Sequence, residues 1–511
     1  MAESFYDLYC LEVLKNEKLQ KELNQVKASN RSLLQRIKYL EDNQDKIVER
    51  AVDKATKALK EEIADLKKQI EQLRSVLNND STNSGLPTSM TPLNKQKLIP
   101  NSREKTGKKK GGQKGHTKNF LPAFSEAEIT DTIDHKTIEC PKCGSEMNDT
   151  DKIVFKDEYD FKIIVKKIRH RFIETTCSKC GMKAKQEIPN HLKEENQYGN
   201  GVKTLALTLL NEGYVSMMRT KEIISGLTND EINVSVGYIA KLQKKLHDSL
   251  LGFNEELKRT VIQLPLLHWD DTVIAIDKQR ACLRFYGDEK LAYYRAHEHK
   301  DKAGLDEDQI LVSLDAKTAV VHDHNLVNYN DDYEFVNVEC CVHLLRDLKK
   351  VVDNLGHEWP KEMIELLLKA NHERNQGYEI DAEYISICYD QYVCEGDIEN
   401  TEDETKYYAE AEATLLKRLK VYKENYLMWT CNQEIPFSNN LAERSLRSTK
   451  TKMKVSGQFS NITNAEYYAG IKSYIETGHR HGMNSTYLIT RALECNPVTI
   501  EEMKTYEEDF Y

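Results

Sequence analysis

The stretch "LLHWDDTVIAI", Leu266–Ile276, decides how the chain is read. Branched and aromatic residues fill it as they would a strand, yet Asp270 and Asp271 stand in the middle. A carboxylate inside a sheet is costly unless it is paired or holds a metal. Outward from it, "ACLRFYG" and "LAYYRA" read as two further strands, then a connection, then "TAVVHDHN" and "EFVNVECCVHLLRDLKKVV", a strand running into a helix. Three consecutive strands followed by strand–helix elements predict a mixed α/β sheet. Asp323 closes the fourth strand. If that strand lies beside the first, the two carboxylates meet.

A third acid stands further on, in "PFSNNLAERSLRSTKTKMK", Pro436–Lys454. There Arg444, Arg447, Lys450, Lys452 and Lys454 surround Glu443. A structural reading has Asn440 capping a helix with Glu443 reaching back in a capping box, or Glu443 pairing with Arg447 one turn on. The sharper reading makes Glu443 a ligand of a divalent cation, with the bases holding DNA. Taken alone, the stretch favours the structural reading; the sharper one needs partner carboxylates, for which Asp270 and Asp323 are the candidates.

Upstream, residues 11 to 78 predict a long helix. Leu59, Ile63, Leu66, Ile70, Leu73 and Leu77 keep heptad spacing, as do Leu19, Leu23, Val26, Asn30, Leu33, Ile37 and Leu40, with a register slip near Val52 and Ala55. This predicts a coiled coil and self-association. A linker rich in Ser, Asn, Pro, Gly and Lys follows and ends in the basic "GGQKGH" loop, with Lys108, Lys109, Lys110 and Lys114 as candidate phosphate contacts. Then come "CPKCG" (Cys140, Cys143) and "CSKCG" (Cys177, Cys180), with 33 residues between the pairs. Two matched knuckles predict one structural zinc on four thiolates, with no open position for chemistry. The segment between them alternates like the strands of a hairpin. From Gln197 to about Leu257 the pattern is helical, with a short polar connection that fits a helix-turn-helix or a plain helical pair.

The chain has 511 residues and a formal charge of -10. Lys95 to Lys118 carries nine bases and one acid, a local balance of +8 that leaves -18 elsewhere. That segment suits a DNA backbone or a solvated linker. No apolar run approaches the ~18 residues that span a bilayer, and no signal peptide is evident. Twelve cysteines are therefore expected to be reduced, in the cytoplasm, where clustered pairs point to metal.

In order along the chain, these motifs resemble the transposases of the bacterial insertion-sequence family numbered sixty-six, a branch of the aspartate–aspartate–glutamate transposases. "GGQKGH" resembles the family's glycine-rich signature, the double Cys-x-x-Cys its zinc domain, and "HWDDT" its histidine–x–aspartate–glutamate–threonine. "VHDHNLVNY" is similar to its second aspartate segment, "CCVHLLRDL" to its cysteine–x–x–histidine–x–x–arginine element, and "PFSNNLAERSLR" to its asparagine–asparagine–x–alanine–glutamate–arginine motif. Asp271 stands where the family usually has glutamate, and Cys341 where a tryptophan is frequent.

The resemblance implies a ribonuclease-H-like catalytic core over 263–349 and 433–495, interrupted by a helical insertion at 350–432. Before it lie a coiled coil (1–80), a basic linker (81–125), a zinc domain (126–192) and a helical segment (193–262); after it, an acidic tail (496–511). The implied ligands of two Mg²⁺ or Mn²⁺ ions are Asp270, Asp323 and Glu443. Arg444, Arg447 and Lys450 become phosphate clamps, and Asp271, His343, Arg346 and Asn440 supporting residues. The implied chemistry is hydrolysis at the element's ends and in-line attack of the freed 3′ hydroxyls on target DNA. Double-stranded DNA, further copies of the chain and accessory proteins of the same element are the implied partners, at the bacterial nucleoid and not at a membrane.

Overall fold

The computed structural model describes residues 5–78, 121, 124–150, 152–189, 192, 194–402 and 406–506. The basic loop with Lys108, Lys109, Lys110, Lys114 and "GGQKGH" lies outside the described residues. Helix α1 runs Phe5–Asn78, about 110 Å at the α-helical rise. Its seam residues Leu23, Leu59, Ile63, Leu66 and Ile70 are all exposed. No helix among the described residues is long and apolar enough to cross a membrane.

Around the cysteine pairs, regular structure is confined to the knuckles. Cys140 and Ser145 close the first, through Cys140 N–Ser145 O and Gly144 N–Cys140 O. Cys177, Met182 and Gly181 repeat the same two bonds in the second. Gly144 and Gly181 sit at φ 74° and 71°, the left-handed turn that glycine adopts freely. Strands β1 (Thr175–Thr176) and β2 (Lys183–Ala184) flank the second knuckle. The expected hairpin between the pairs is absent: residues 152–173 pair with no strand, and Ile153, Phe155, Phe161 and Ile168 are exposed. Alternation alone does not hold a two-stranded ribbon when nothing packs on its apolar face.

Helices α2 (Asn200–Asn211), α3 (Met217–Leu227), α4 (Val236–Ser249) and α5 (Leu251–Ile262) follow. Ser216 and Ser235 cap α3 and α4 by accepting from Arg219 N and Tyr238 N. The sheet comprises β3 (Leu266–Ile276), β4 (Gln279–Gly287), β5 (Ala292–His297), β6 (Ala319–His322) and β7 (Val336–Glu339), with the short helix α6 (Lys302–Glu307) between β5 and β6. Its order is β5-β4-β3-β6-β7. Strands β3, β4 and β5 are antiparallel neighbours, and β6 and β7 run parallel to β3.

After the sheet come α7 (Cys341–Leu355), α8 (Trp359–Asn375), α9 (Ala382–Glu402), α10 (Lys406–Val421) and α11 (Lys423–Cys431). The chain closes with α12 (Asn440–Val455), α13 (Ile462–Arg480), α14 (Ser485–Leu493) and α15 (Ile500–Lys504).

The described residues fall into two compact units. One contains α1 with Asp347–Met363 and Asp390–Arg418; the rest forms the other. In the first unit, buried Glu412 accepts from His357 Nδ1, Trp359 Nε1 and Asn400 Nδ2 at 2.8, 2.7 and 2.9 Å. In the second unit, alternate residues of β3 serve two cores. Leu267 and Trp269 pack with α2–α5 and α14, while Ile274 and Ile276 pack with Leu441, Ala442 and Leu446 of α12. Val498, Ile500 and Met503 join the first core, and Thr499 and Glu502 make a capping box. The expected acidic tail is thus packed over 498–503, because apolar residues are spaced among its acids.

Candidate active site

Two strands and one helix converge. Register pairs Leu266 with Ala319 and His268 with Val321 across β3 and β6. Carried two residues on, it sets Asp270 level with Asp323, just past the end of β6. Asp270 shares its face of β3 with Ile274 and Ile276, which α12 covers, and Glu443 stands in the first turn of that helix. Burial, followed by the charges of Asp323, Asp271 and Glu443, raises the Asp270 carboxyl well above the usual carboxylate range, as like charges held together must.

His343, in the first turn of α7, lies between the other two acids. Its Nδ1 is 2.9 Å from Asp323 Oδ1 and its Nε2 is 3.5 Å from Glu443 Oε1. Arg346 Nη1 approaches His343 Nε2 at 2.9 Å and Glu443 Oε1 at 3.6 Å. Burial disfavours the imidazolium, but contacts with Asp323 and Cys340 outweigh it and hold His343 at about 11. The Arg346–His343 contact is a hydrogen bond, but the approaches to the two carboxylates are off the line of good ones: Asp323 Oδ1, His343 Nδ1 and Glu443 Oε1 are buried atoms without a hydrogen-bond partner. Three carboxylates, two of them (Asp323 and Glu443) with orphaned buried oxygens, fit a hard divalent cation. Among the described residues, the group whose donor atoms all lie within 4.8 Å is Asp323, Cys340 and His343. The three carboxylates are spread more widely.

The expected cap on α12 does not form. Asn439, not Asn440, holds the N-cap position, and no side chain caps the helix. Asn439 is fully buried and its amide is committed elsewhere: Oδ1 is 2.9 Å from His268 Nδ1, and Nδ2 donates to Trp269 O at 2.8 Å. It fastens the start of α12 to the residues before Asp270. Glu443 accordingly faces His343 and Arg346, and its contact with Arg447 is a loose 3.8 Å. The double asparagine in the sequence was the available signal for this residue, but its partners are 170 and 171 positions away.

Asp271 points to the other face, where Lys300 Nζ meets its Oδ1 at 2.6 Å, and its backbone N–H donates to Asp270 Oδ1 at 2.7 Å. Its strand neighbour Arg284 is buried and holds Asp308 Oδ2 and Gly304 O at 2.8 and 2.7 Å, a network without a sequence motif. Cys341 is buried and donates to Tyr426 O at 3.2 Å. Arg444, Arg447 and Lys450 are exposed on α12. Lys452 turns inward instead, its Nζ 3.9 Å from the Phe459 ring centre. Among the described residues, Cys140, Cys143, Cys177 and Cys180 are not gathered into one metal-binding group. Hydrogen bonding from Ser145 lowers the Cys143 thiol, and that from the Cys180 and Lys179 backbone lowers Cys177.

A family model described as "Transposase IS66 family" matches residues 196–467, which takes in α2 through the first part of α13. The chain belongs to the IS66 transposase family. No curated protein matches it. For a transposase of this family, the matched span holds all three acids and the α7 histidine, while α1 and both cysteine knuckles precede it.

Proposed function

We propose that this IS66-family chain is a DNA transposase that cleaves the ends of its element and joins them to target DNA. The observation that supports the reading is the approach of Asp270, Asp323 and Glu443, from two strands and a helix, with a buried oxygen of Asp323 and one of Glu443 lacking partners. The mixed sheet, with three antiparallel strands continued by two parallel ones, supports a ribonuclease-H-like core.

Asp270, Asp323 and Glu443 are the residues that would hold Mg²⁺ or Mn²⁺. When bound, these ions supply activation of the attacking oxygen and stabilisation of the leaving one. Asp271 orients Asp270 through its backbone N–H, and Asn439 sets the angle of α12 and hence Glu443. His343 and Arg346 hold Asp323 and Glu443 at the separation the site needs. Arg444, Arg447 and Lys450, exposed along α12, clamp phosphates, as do Lys108, Lys109, Lys110 and Lys114 in the linker. The cysteine knuckles share one structural Zn²⁺, and the exposed seam of α1 pairs with a second copy as a coiled coil.

The test is joining of the DNA flanking the gene to a plasmid target with Mg²⁺ or Mn²⁺, beside Asp323→Asn. Joined products from the unaltered chain alone support the proposal. Nicks without joining would make it a nuclease of the same fold. Bound ends with no cutting, even with accessory proteins of the element added, would make it a non-catalytic DNA-binding relative.

A further inference from the structure

Cys340 has no part in the chemistry above, yet it sits against it. It is buried, immediately precedes α7, and its carbonyl accepts from His343 N at 3.2 Å in the first turn. This Cys-x-x-His spacing puts thiol and imidazole on one side of a helix start. Asp323 arrives from the end of β6, and the three donor atoms lie within 4.8 Å of one another. Two of them, Asp323 Oδ1 and His343 Nδ1, are buried without a hydrogen-bond partner. Asn439 N already donates to Cys340 Sγ at 3.1 Å, the kind of outer bond that orients a thiolate ligand.

We propose that Asp323, Cys340 and His343 form a zinc site that, when filled, takes Asp323 out of the carboxylate set and switches phosphodiester chemistry off. The inhibitory half rests on the reading of Asp323 as a ligand of the catalytic ions. Thiolate, imidazole and carboxylate together suit Zn²⁺ with one further position for water. Mg²⁺ prefers oxygen throughout and competes poorly for such a set. Binding displaces the protons of the Cys340 thiol and of His343 Nδ1 to solvent. The proton left on Nε2 then faces Glu443 Oε1, now 3.5 Å away, and Arg346 Nη1, 3.6 Å from the same oxygen, turns onto it. Zinc would therefore engage Asp323 directly and Glu443 through the imidazole, so two of the three acids leave the catalytic arrangement together.

The experiment uses the full chain with Co²⁺ as a visible substitute for Zn²⁺. The unaltered chain is expected to bind one more equivalent of Co²⁺ than Cys340→Ser, with a stronger thiolate-to-cobalt charge-transfer band. Zn²⁺ is expected to stop Mg²⁺-dependent cleavage, and Cys340→Ser to raise the zinc needed for half-inhibition about 100-fold. His343→Gln is a second variant for metal content if the serine variant fails to fold. Equal cobalt content in the unaltered chain and the variants overturns the site. Equal zinc sensitivity overturns its inhibitory role. An extra equivalent in a chain that never cleaves would leave the site standing and remove the transposase reading instead.

Discussion

The sheet-centred site and the two cysteine knuckles pose the same folding problem and meet different ends. Each must bring together polar side chains from distant positions. At the sheet, Asp270, Asp323 and Glu443 are delivered by β3, β6 and α12, elements that pack on apolar cores and have little freedom left. The knuckles are each well made, with identical turn bonds, but between them residues 152–173 carry their apolar side chains exposed, and the four thiols do not converge. Hydrophobic burial positions the first set of side chains by itself. The second has only local turns, and under the proposed zinc reading its assembly would come from the metal, as in small domains that fold on binding zinc.

The largest expected effect breaks the first half of that contrast. Asp323→Asn keeps the shape of the side chain and removes its charge, so cleavage should fall by roughly 10³-fold or more, while end binding and the zinc held by the cysteine knuckles stay as they were. A gel assay of cutting beside a filter-binding assay separates the two. Loss of binding as well would make Asp323 a structural residue.

Asn439→Ala tests whether packing does the positioning. The change leaves His268 and the Trp269 carbonyl without their buried partner, which costs about 2 kcal/mol and should show in denaturant unfolding. Cleavage should fall with it, because Glu443 rides on the same helix. A variant that loses stability but cleaves normally would free Glu443 from this anchor.

On the other side, Cys177→Ser should abolish zinc binding at both knuckles together if they share one ion, and leave the cooperative unfolding of the sheet unit unchanged. Metal content by atomic emission, measured in a Cys340→Ser background so that only knuckle zinc is counted, and a melting curve read the two parts. Retention of half of that zinc would mean two separate sites.

The sheet was readable from short strand patterns and the three acids from motifs, because each signal lies within a few residues. The local capping rule points to Asn440 instead of Asn439, because the partners of Asn439 lie across the fold. The Arg284–Asp308–Tyr286 network left no local trace at all. The hairpin failed for the opposite reason: a correct local pattern had nothing to pack against. Val498, Ile500 and Met503 were hidden by the charge around them.

The smallest effects distinguish bases within one helix. Arg447 is two-thirds exposed, and Arg447→Ala should lower the salt dependence of DNA binding by about one counterion. Lys452, about two and a half turns from Glu443, should leave that slope unchanged, because it is turned into the fold under Phe459 and Tyr468. Burial depresses its ammonium to about 8. The sign follows from proton binding: between about 8 and the unfolded value near 10.4, the unfolded chain holds a proton that the folded one has lost. Stability from this group therefore rises as pH climbs through that window, and below it the folded state carries the full cost of a buried charge. Attraction to the two rings offsets part of that cost, so the gain is on the order of 1 kcal/mol. Lys452→Met should flatten the rise in unfolding midpoint over this range. An equally steep rise in the variant would assign it to another group, and Lys452 would then belong with the exposed bases that meet DNA.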